Sequence, residues 1–330
     1  MTPVRARTLS LFFLLILAFT LPDLVSSNPD KLTTSTTKSS YGLGETVTIY
    51  GTLKNESDAP VSDGLVAVQV DDVLGNHRLV RVIPTGSLPP AWKVRIVEFL
   101  SCDSQGNPKT SFSRDTFAWF KVTVENLDTI SRQVTVIITL VDSGNGSINV
   151  KPAILNYNLQ PGEQLPLGPL SILIPHDAVS GTANGYVSAL TKWPRECGQP
   201  YCPEVSLEFA ITGSGSGATV ASASASSTRS PGSYGLYFRL PTNAMLGNYY
   251  VYASGRFNAW ASTTFDYFWR YTDVNRDGAV NIQDISMIGR AYGSKLVDPR
   301  YDHMLDLNNN GIIDIVDISR VARDYGKKMG

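Results

Sequence analysis

The sequence predicts a mainly β chain: two nested β-sandwiches followed by a small α-helical module built on two loops. Three observations carry this. Eight segments alternate apolar with polar side chains or run in β-branched and aromatic residues, with turn residues between them and almost no helical periodicity. A corner motif, Pro-x-x-Ala-x-x-Gly, occurs at 175–181 and again at 241–247. A 12-residue loop is duplicated near the C-terminus, as DVNRDGAVNIQD at 273–284 and DLNNNGIIDIVD at 306–317.

Residues 1–27 read as a secretory signal peptide. Arg5 and Arg7 precede an apolar run, Leu9–Leu21, of 13 residues. That run is too short to span a bilayer comfortably, and Val25-Ser26-Ser27 offers small residues for cleavage. An uncleaved anchor is the rival reading. No second run approaches the ~18 apolar residues of a spanning helix, so the expectation is a soluble mature chain with no stable membrane span. The formal net charge is −1, with no basic stripe interleaved with aromatics, which argues against nucleic acid as a partner. Asn55-Glu56-Ser57 and Asn145-Gly146-Ser147 are candidate glycosylation sequons.

Strands are expected at Glu45–Tyr50, Leu65–Val70, Val94–Leu100, Ala118–Val124, Val134–Leu140, Val205–Ile211, Tyr234–Leu240 and Tyr249–Ala253. The corner at Pro175 follows Leu170–Ile174, and that at Pro241 follows Tyr237–Leu240. Openings also repeat, at Tyr41–Val47 and Phe112–Phe117. Two tandem domains would each need a corner before the next opening, and residues 41–111 hold none. The order therefore predicts nesting. A first sandwich begins at 28–91 and resumes at 231–269, a second at 92–213 is inserted into it, and 214–230 is a Gly/Ser/Ala linker. A tandem arrangement with a truncated first domain is the alternative.

The Pro60-Val61-Ser62-Asp63-Gly64 turn before an alternating strand makes the outer domain resemble macroglobulin-like and bacterial Ig-like sandwiches. Phe120–Asn126 and Leu159–Gly162 make the inner domain similar to a CARDB-type adhesion sandwich. Both resemblances imply an Ig-like fold, not an activity. In such sandwiches a short second strand runs parallel to the last; Cys102 precedes the one (Asn107–Ser113) and Cys202 the other (Val205–Ile211), which favours a Cys102–Cys202 disulfide. Cys197–Cys202, within one loop, is the other pairing.

The duplicated loops carry the chemistry. Oxygen-bearing side chains stand at positions one, three, five, nine and twelve: Asp273, Asn275, Asp277, Asn281 and Asp284, then Asp306, Asn308, Asn310, Asp314 and Asp317. Position seven (Ala279, Ile312) offers its backbone carbonyl, and position six is Gly278 or Gly311 for the sharp turn. A hard cation such as Ca²⁺ takes such an oxygen set, so two Ca²⁺ ions are expected. After each loop Ile285, Ile288 and Tyr292, or Ile318, Val321 and Tyr325, share one helical face, and Gly293 or Gly326 stops the helix.

No amphipathic helix precedes either loop. Two loop-then-helix units without entering helices resemble the type I dockerin module, which implies a cohesin-like partner on another protein. Carried over by position, the resemblance implies a contact surface of Ile282, Gln283, Gly289 and Arg290, repeated at Ile315, Val316, Ala322 and Arg323. Ile282 and Ile315 packing beside the ion loops is the competing reading.

No His-Glu-x-x-His helix, Gly-x-Ser-x-Gly elbow or phosphate-cradling loop is present. His77, His176 and His303 are expected to be solvated. Trp193 and Tyr201 in the Cys-containing loop would stack on a sugar if exposed, making polysaccharide a second partner class. The expectation is a secreted, non-catalytic surface or matrix protein. It would attach through Ca²⁺-dependent docking, with its Ig-like domains as spacers. The alternative is a subunit of an extracellular polysaccharide-degrading complex.

Overall fold

β-branched and aromatic residues at period two favour half-buried strands over helix. In the computed structural model, residues 30–328 are described apart from 43, 214–229, 242–243, 269–271, 276, 278, 303 and 309. The signal segment, most of the 214–230 linker, Trp269, Gly278 and His303 thus lie outside the described residues.

The chain opens with β1 (Lys31–Leu32), β2 (Ser35–Thr36), β3 (Ser40–Gly42), β4 (Thr46–Lys54), β5 (Leu65–Asp71) and β6 (His77–Pro84). The insert supplies β7 (Val94–Cys102), β8 (Ser111–Ser113), β9 (Phe117–Asn126), β10 (Arg132–Val141), β11 (Ser147–Leu159), β12 (Gln164–Leu173), β13 (Gly181–Leu190) and β14 (Val205–Thr212). The outer sandwich resumes with β15 (Ser233–Arg239), β16 (Gly247–Ser254) and β17 (Trp260–Phe268). Helices α1 (Ile282–Ala291) and α2 (Ile315–Asp324) end the chain.

Sheet membership follows nesting. The outer sandwich pairs a β1-β4-β15 sheet, with β2 also on β4, against a β3-β17-β16-β5-β6 sheet. The inner one pairs β11-β10-β13-β14-β8 against β12-β9-β7. Each sandwich has one short parallel pair on its last strand, β3 with β17 and β8 with β14. The two corners are the same turn. Ala178 N–H donates to the Pro175 carbonyl (3.2 Å) and Ala244 N–H to that of Pro241 (2.9 Å). Gly181 and Gly247 leave these corners at φ 126° and 129°, a region closed to residues with a Cβ.

The outer core gathers Tyr41, Tyr234, Tyr249 and Tyr267 around Phe238 and Phe265. A buried phenol needs a hydrogen-bond partner. Tyr234 Oη donates to the Thr33 carbonyl (2.7 Å), Tyr249 Oη to that of Met245 (2.9 Å) and Tyr267 Oη to that of Pro241 (3.1 Å). The inner core is apolar, with Phe112, Phe120 and Phe209 in edge or tilted contact.

β5 is buried along its whole length because it has cover on both faces. Val66, Val68 and Val70 enter the outer core, while Leu65 and Ala67 join Val80, Val82, Ile137, Leu190 and Trp193 between the sandwiches. Polar contacts fix this junction. Arg81 Nε and Nη2 donate to the Glu204 carboxylate (3.0 and 2.6 Å), which also accepts Val82 N–H (2.8 Å). The Arg81 guanidinium lies 3.4 Å from the Tyr186 ring centroid. Thr139 Oγ1 donates to the Val80 carbonyl (2.7 Å).

The expected Cys102–Cys202 bridge is corrected: Cys102, Cys197 and Cys202 are all free thiols. Register is the reason. β8 pairs with the end of β14 (Ala210 to Thr212), not its start. Cys202 hydrogen-bonds the backbone of Ile96, near the start of β7, whereas Cys102 ends that strand. Six strand residues separate the two levels by roughly 20 Å, far beyond disulfide reach.

Candidate functional site

Each duplicated loop closes on its last carboxylate. In loop one Asp284 accepts Asn275 N–H (3.1 Å) and Asn281 N–H (2.8 Å). In loop two Asp317 accepts Asn308 N–H (3.1 Å) and Asp314 N–H (2.8 Å). Both carboxylates are 0 % exposed. The same side chains start the helices. Asn281 accepts Gln283 N–H and Asp314 accepts Val316 N–H (each 2.7 Å), completing a capping box with Asp284 or Asp317. A ligand position and a helix cap therefore coincide, which locks the loop's end to a rigid element.

The first position is fixed likewise. Asp273 accepts Asp277 N–H (3.1 Å), and Asp306 accepts Asn310 N–H (3.2 Å) and Gly311 N–H (2.8 Å). Tyr301 Oη donates to Asp306 (2.7 Å), a contact that sequence reasoning missed. Gly311, at φ 82°, makes the turn that aims these amides inward. Burial pushes the Asp317 carboxyl above its ordinary range, and the Asp306 and Asp314 carboxylates add to the shift.

The two loops support each other reciprocally. Val280, at position eight of the first loop, donates to the Lys327 carbonyl and accepts Gly326 N–H (2.9 and 2.8 Å). Ile313, at position eight of the second, donates to the Ser294 carbonyl and accepts Gly293 N–H (3.0 and 2.8 Å). Each loop thus pairs with the chain leaving the other helix. Val280, Ile288, Ile313 and Val321 fill the small core between them. Thr272 Oγ1 donates to Asp324 (3.1 Å), tying the module's entry to its last helix. Among the described residues, turns rather than a helix lead into the second loop.

Among the described residues no three His, Cys, Asp or Glu side chains gather into a metal cluster. Each loop instead combines two buried carboxylates with side-chain amide oxygens and a main-chain carbonyl at Ala279 or Ile312. That mixed, oxygen-only set fits Ca²⁺ and not a soft metal.

The eight residues of the implied contact surface are all exposed: Ile282, Gln283, Gly289 and Arg290 on α1, Ile315, Val316, Ala322 and Arg323 on α2. Ile282 is 60 % and Ile315 61 % exposed, so neither packs beside its loop. Tyr292 and Tyr325 depart from expectation. Each is a helix C-cap with extended backbone, so its ring leaves the apolar face and is exposed.

Elsewhere, His77 is not solvated. Its Nδ1 lies 2.7 Å from Asp71 and its ring centroid 4.0 Å from that of Trp193. Trp193 is buried in that contact, which corrects its reading as a sugar platform, while Tyr201 stays partly exposed. His176 is exposed, 2.8 Å from Asp115. Asn55 accepts Ser57 and Ala59 N–H in an exposed turn. Asn145 sits in the β10–β11 turn, where its carbonyl accepts Arg239 N–H from the outer sandwich (2.8 Å). Among the described residues no helix is long and apolar enough to cross a membrane.

Residues 271–324 match the family model of the dockerin type I domain. Such domains bind calcium and attach their chains to cohesin partners. No curated protein matches the chain. Among solved structures, a Pseudomonas fluorescens alkylpurine DNA glycosylase, AlkC, is 13% identical, with a TM-score of 0.29 over 37% of this chain. The chain spans only 31% of that enzyme's length. A type II cohesin–X–dockerin complex from Acetivibrio cellulolyticus is 26% identical, with a TM-score of 0.17, over 29% of this chain and 70% of that one. Salmonella alpha-2-macroglobulin is 10% identical, with a TM-score of 0.23, over 73% of this chain and 23% of that one.

Proposed function

We propose that this chain is an exported, non-catalytic attachment protein whose C-terminal dockerin module binds two Ca²⁺ ions and docks onto a cohesin. The sandwiches would then act as spacer or adhesion modules. Asp273, Asn275, Asp277, Asp284 and the Ala279 carbonyl would hold the first ion, with Asn281 at position nine. Asp306, Asn308, Asn310, Asp317 and the Ile312 carbonyl would hold the second, with Asp314 at position nine. Each ion supplies positive charge that cancels the repulsion among its loop's carboxylates.

The observation that carries this reading is the repeat of one exposed surface. Ile282 and Ile315 hold equivalent positions at the start of α1 and α2, solvent-facing, beside Gln283 and Val316. Apolar side chains presented twice in the same setting suit a partner's contact better than an isolated fold's needs. The near-duplicate faces would let a cohesin bind in either of two orientations.

The test is a pull-down with the immobilised chain from the producing cell's surface fraction, in Ca²⁺ and in EGTA. A cohesin-bearing protein retained only in Ca²⁺, and lost with Asp273→Ala plus Asp306→Ala, is the expected result. Retention unchanged by chelator would sink the docking reading. The alternative, a subunit of a polysaccharide-degrading complex, gains support from an aromatic-lined cleft between the sandwiches.

A further inference from the structure

A cleft of about 710 Å³ opens where the two sandwiches meet. Asp63–Leu65 and Arg132 line it, together with three further segments: the Pro89–Lys93 connector, the β16–β17 turn, and the loop between β13 and β14. Each of these three contributes one aromatic ring. Trp92 is 38 % exposed and Phe257 52 %. Tyr201 is held by its own hydroxyl, which donates to the Gln133 carbonyl (2.9 Å).

The Phe257 ring is presented at a cost. Phe257 and Asn258 both adopt left-handed backbone, at φ 52° and 58°. The Arg256 carbonyl accepts Ala259 N–H (3.1 Å), so the pair closes a type I′ hairpin turn, which suits Asn and Gly and places a bulky ring there at a cost. The surroundings hold the turn in place: Gln199 Nε2, from the inner sandwich, donates to Asn258 Oδ1 (2.8 Å). Gly255 N–H donates to the Ala259 carbonyl (2.9 Å). The Arg256 guanidinium lies 5.3 Å from the Phe257 ring centroid, yet the ring stays largely in water on a turn anchored across the junction.

Polar groups of fixed position line the same cleft. Arg132 Nε and Nη2 donate to Asp128, and Arg256 Nε donates to Asp30 (2.7 Å). A guanidinium carries five N–H donors, so these bonds orient both side chains without exhausting them. Lys93 adds a third cation, and Asp63, 3.8 Å from Arg256 Nη1, an acceptor.

We propose that this cleft binds a segment of a polysaccharide chain. A pyranose offers an apolar ring face for Trp92, Tyr201 or Phe257, and hydroxyls at its edge for the cleft's donors and acceptors. The volume lies within the roughly 300–1,000 Å³ of small-molecule sites, too small for a folded partner. The proposal stands apart from docking, since it uses no residue of the C-terminal module.

Calorimetric titration of the full chain in Ca²⁺ tests it, with hexasaccharides of cellulose, xylan, chitin and polygalacturonate as probes. At least one should bind, a uronate preference marking the cations as contacts and a neutral preference marking the rings as dominant. Trp92→Ala with Phe257→Ala should weaken binding by about tenfold or more. Phe257→Gly should leave the melting temperature equal or higher while weakening binding, because glycine relieves the left-handed backbone. Asp273→Ala should leave glycan affinity unchanged. The proposal fails if no probe binds at millimolar concentration or if Phe257→Gly binds as wild type.

Discussion

Asp317→Asn separates the two roles of one carboxylate. It keeps the side chain's shape and one acceptor oxygen for the Asp314 N–H of the capping box, but removes the charge from the twelfth loop position and the acceptor of Asn308 N–H, a loss that EGTA and Ca²⁺ conditions share. If each site has a dissociation constant near 10 µM, then 1 mM Ca²⁺ is about a hundredfold excess and stabilises the module by about 2.7 kcal/mol per site. The wild type would gain about 5.4 kcal/mol from both. Raising one constant about a hundredfold leaves that site only about 0.4 kcal/mol, so the variant's gain falls to about 3.1 at most, and further where the second loop depends on the first. For a unit of this size the lost 2.3 kcal/mol corresponds to roughly 10–18 °C in melting temperature. The assay is scanning calorimetry of the full chain, reading the module's transition in EGTA and in 1 mM Ca²⁺. A Ca²⁺ increment equal in variant and wild type would refute Asp317 as a ligand. The ion-free module carries a further signature. Its folded state holds the Asp317 carboxyl pKa raised, first through burial and then through Asp306 and Asp314. Protonation therefore favours the fold: this stability is fully present below about pH 3.9 and is lost as pH rises through the raised value. In EGTA the module should melt higher in mild acid than at neutral pH, and Asp317→Asn should flatten that dependence.

Ile282→Asp or Ile315→Asp alone should weaken cohesin capture modestly, while the pair should abolish it, as read by biolayer interferometry; equal capture by the double variant would remove both from the contact. Arg81→Ala leaves the Glu204 carboxylate uncompensated at the junction and should cost about 3–5 kcal/mol in denaturant titrations, whereas a loss under 1 would mean that the contact is dispensable. Burial raises the Asp72 carboxyl, but hydrogen bonds from Asn76 and Arg78 outweigh it and hold the group below the usual range. Its contribution should be present above about pH 3.9 and lost as pH falls through the lowered value, so Asp72→Asn should reduce acid sensitivity along with stability. Burial pushes the Cys202 thiol up to about 12, so native alkylation should spare it and denatured alkylation should label all three cysteines; a cross-linked 102–202 peptide under non-reducing conditions would overturn the free-thiol reading.

Nesting was legible because a corner leaves a local signature. Pro, Ala and Gly at fixed spacing each satisfy a constraint of one turn, so two copies in the order observed force the strands between them into a separate unit. What the sequence hid depends on contacts between distant segments. The unbroken apolar run of β5 reads as an ordinary strand, and only the second sandwich accounts for the burial of Leu65 and Ala67. β11 carries Pro152 opposite Ile137, beside a register shift, a placement tolerated because β11 is a sheet edge. His77 looked like a turn residue until Trp193 arrived from the insert. Cys102 and Cys202 were paired by correct topology and wrong register, an error that alternation cannot reveal.

The C-terminal module was more legible because its constraints are short-range. Spacing within twelve residues fixes which oxygens face inward, and the capping boxes follow from those same residues. Sequence could not show that each loop leans on the tail of the opposite helix, through Val280 with Gly326–Lys327 and Ile313 with Gly293–Ser294. That exchange makes the sites interdependent. Losing one of two bound ions would loosen the loop whose eighth residue anchors the other helix's exit, so the second site and its exposed face would lose order as well. A module built this way presents either face only when both loops are closed. Calcium would therefore govern attachment through the whole two-fold unit, and single-loop variants should impair capture on both faces.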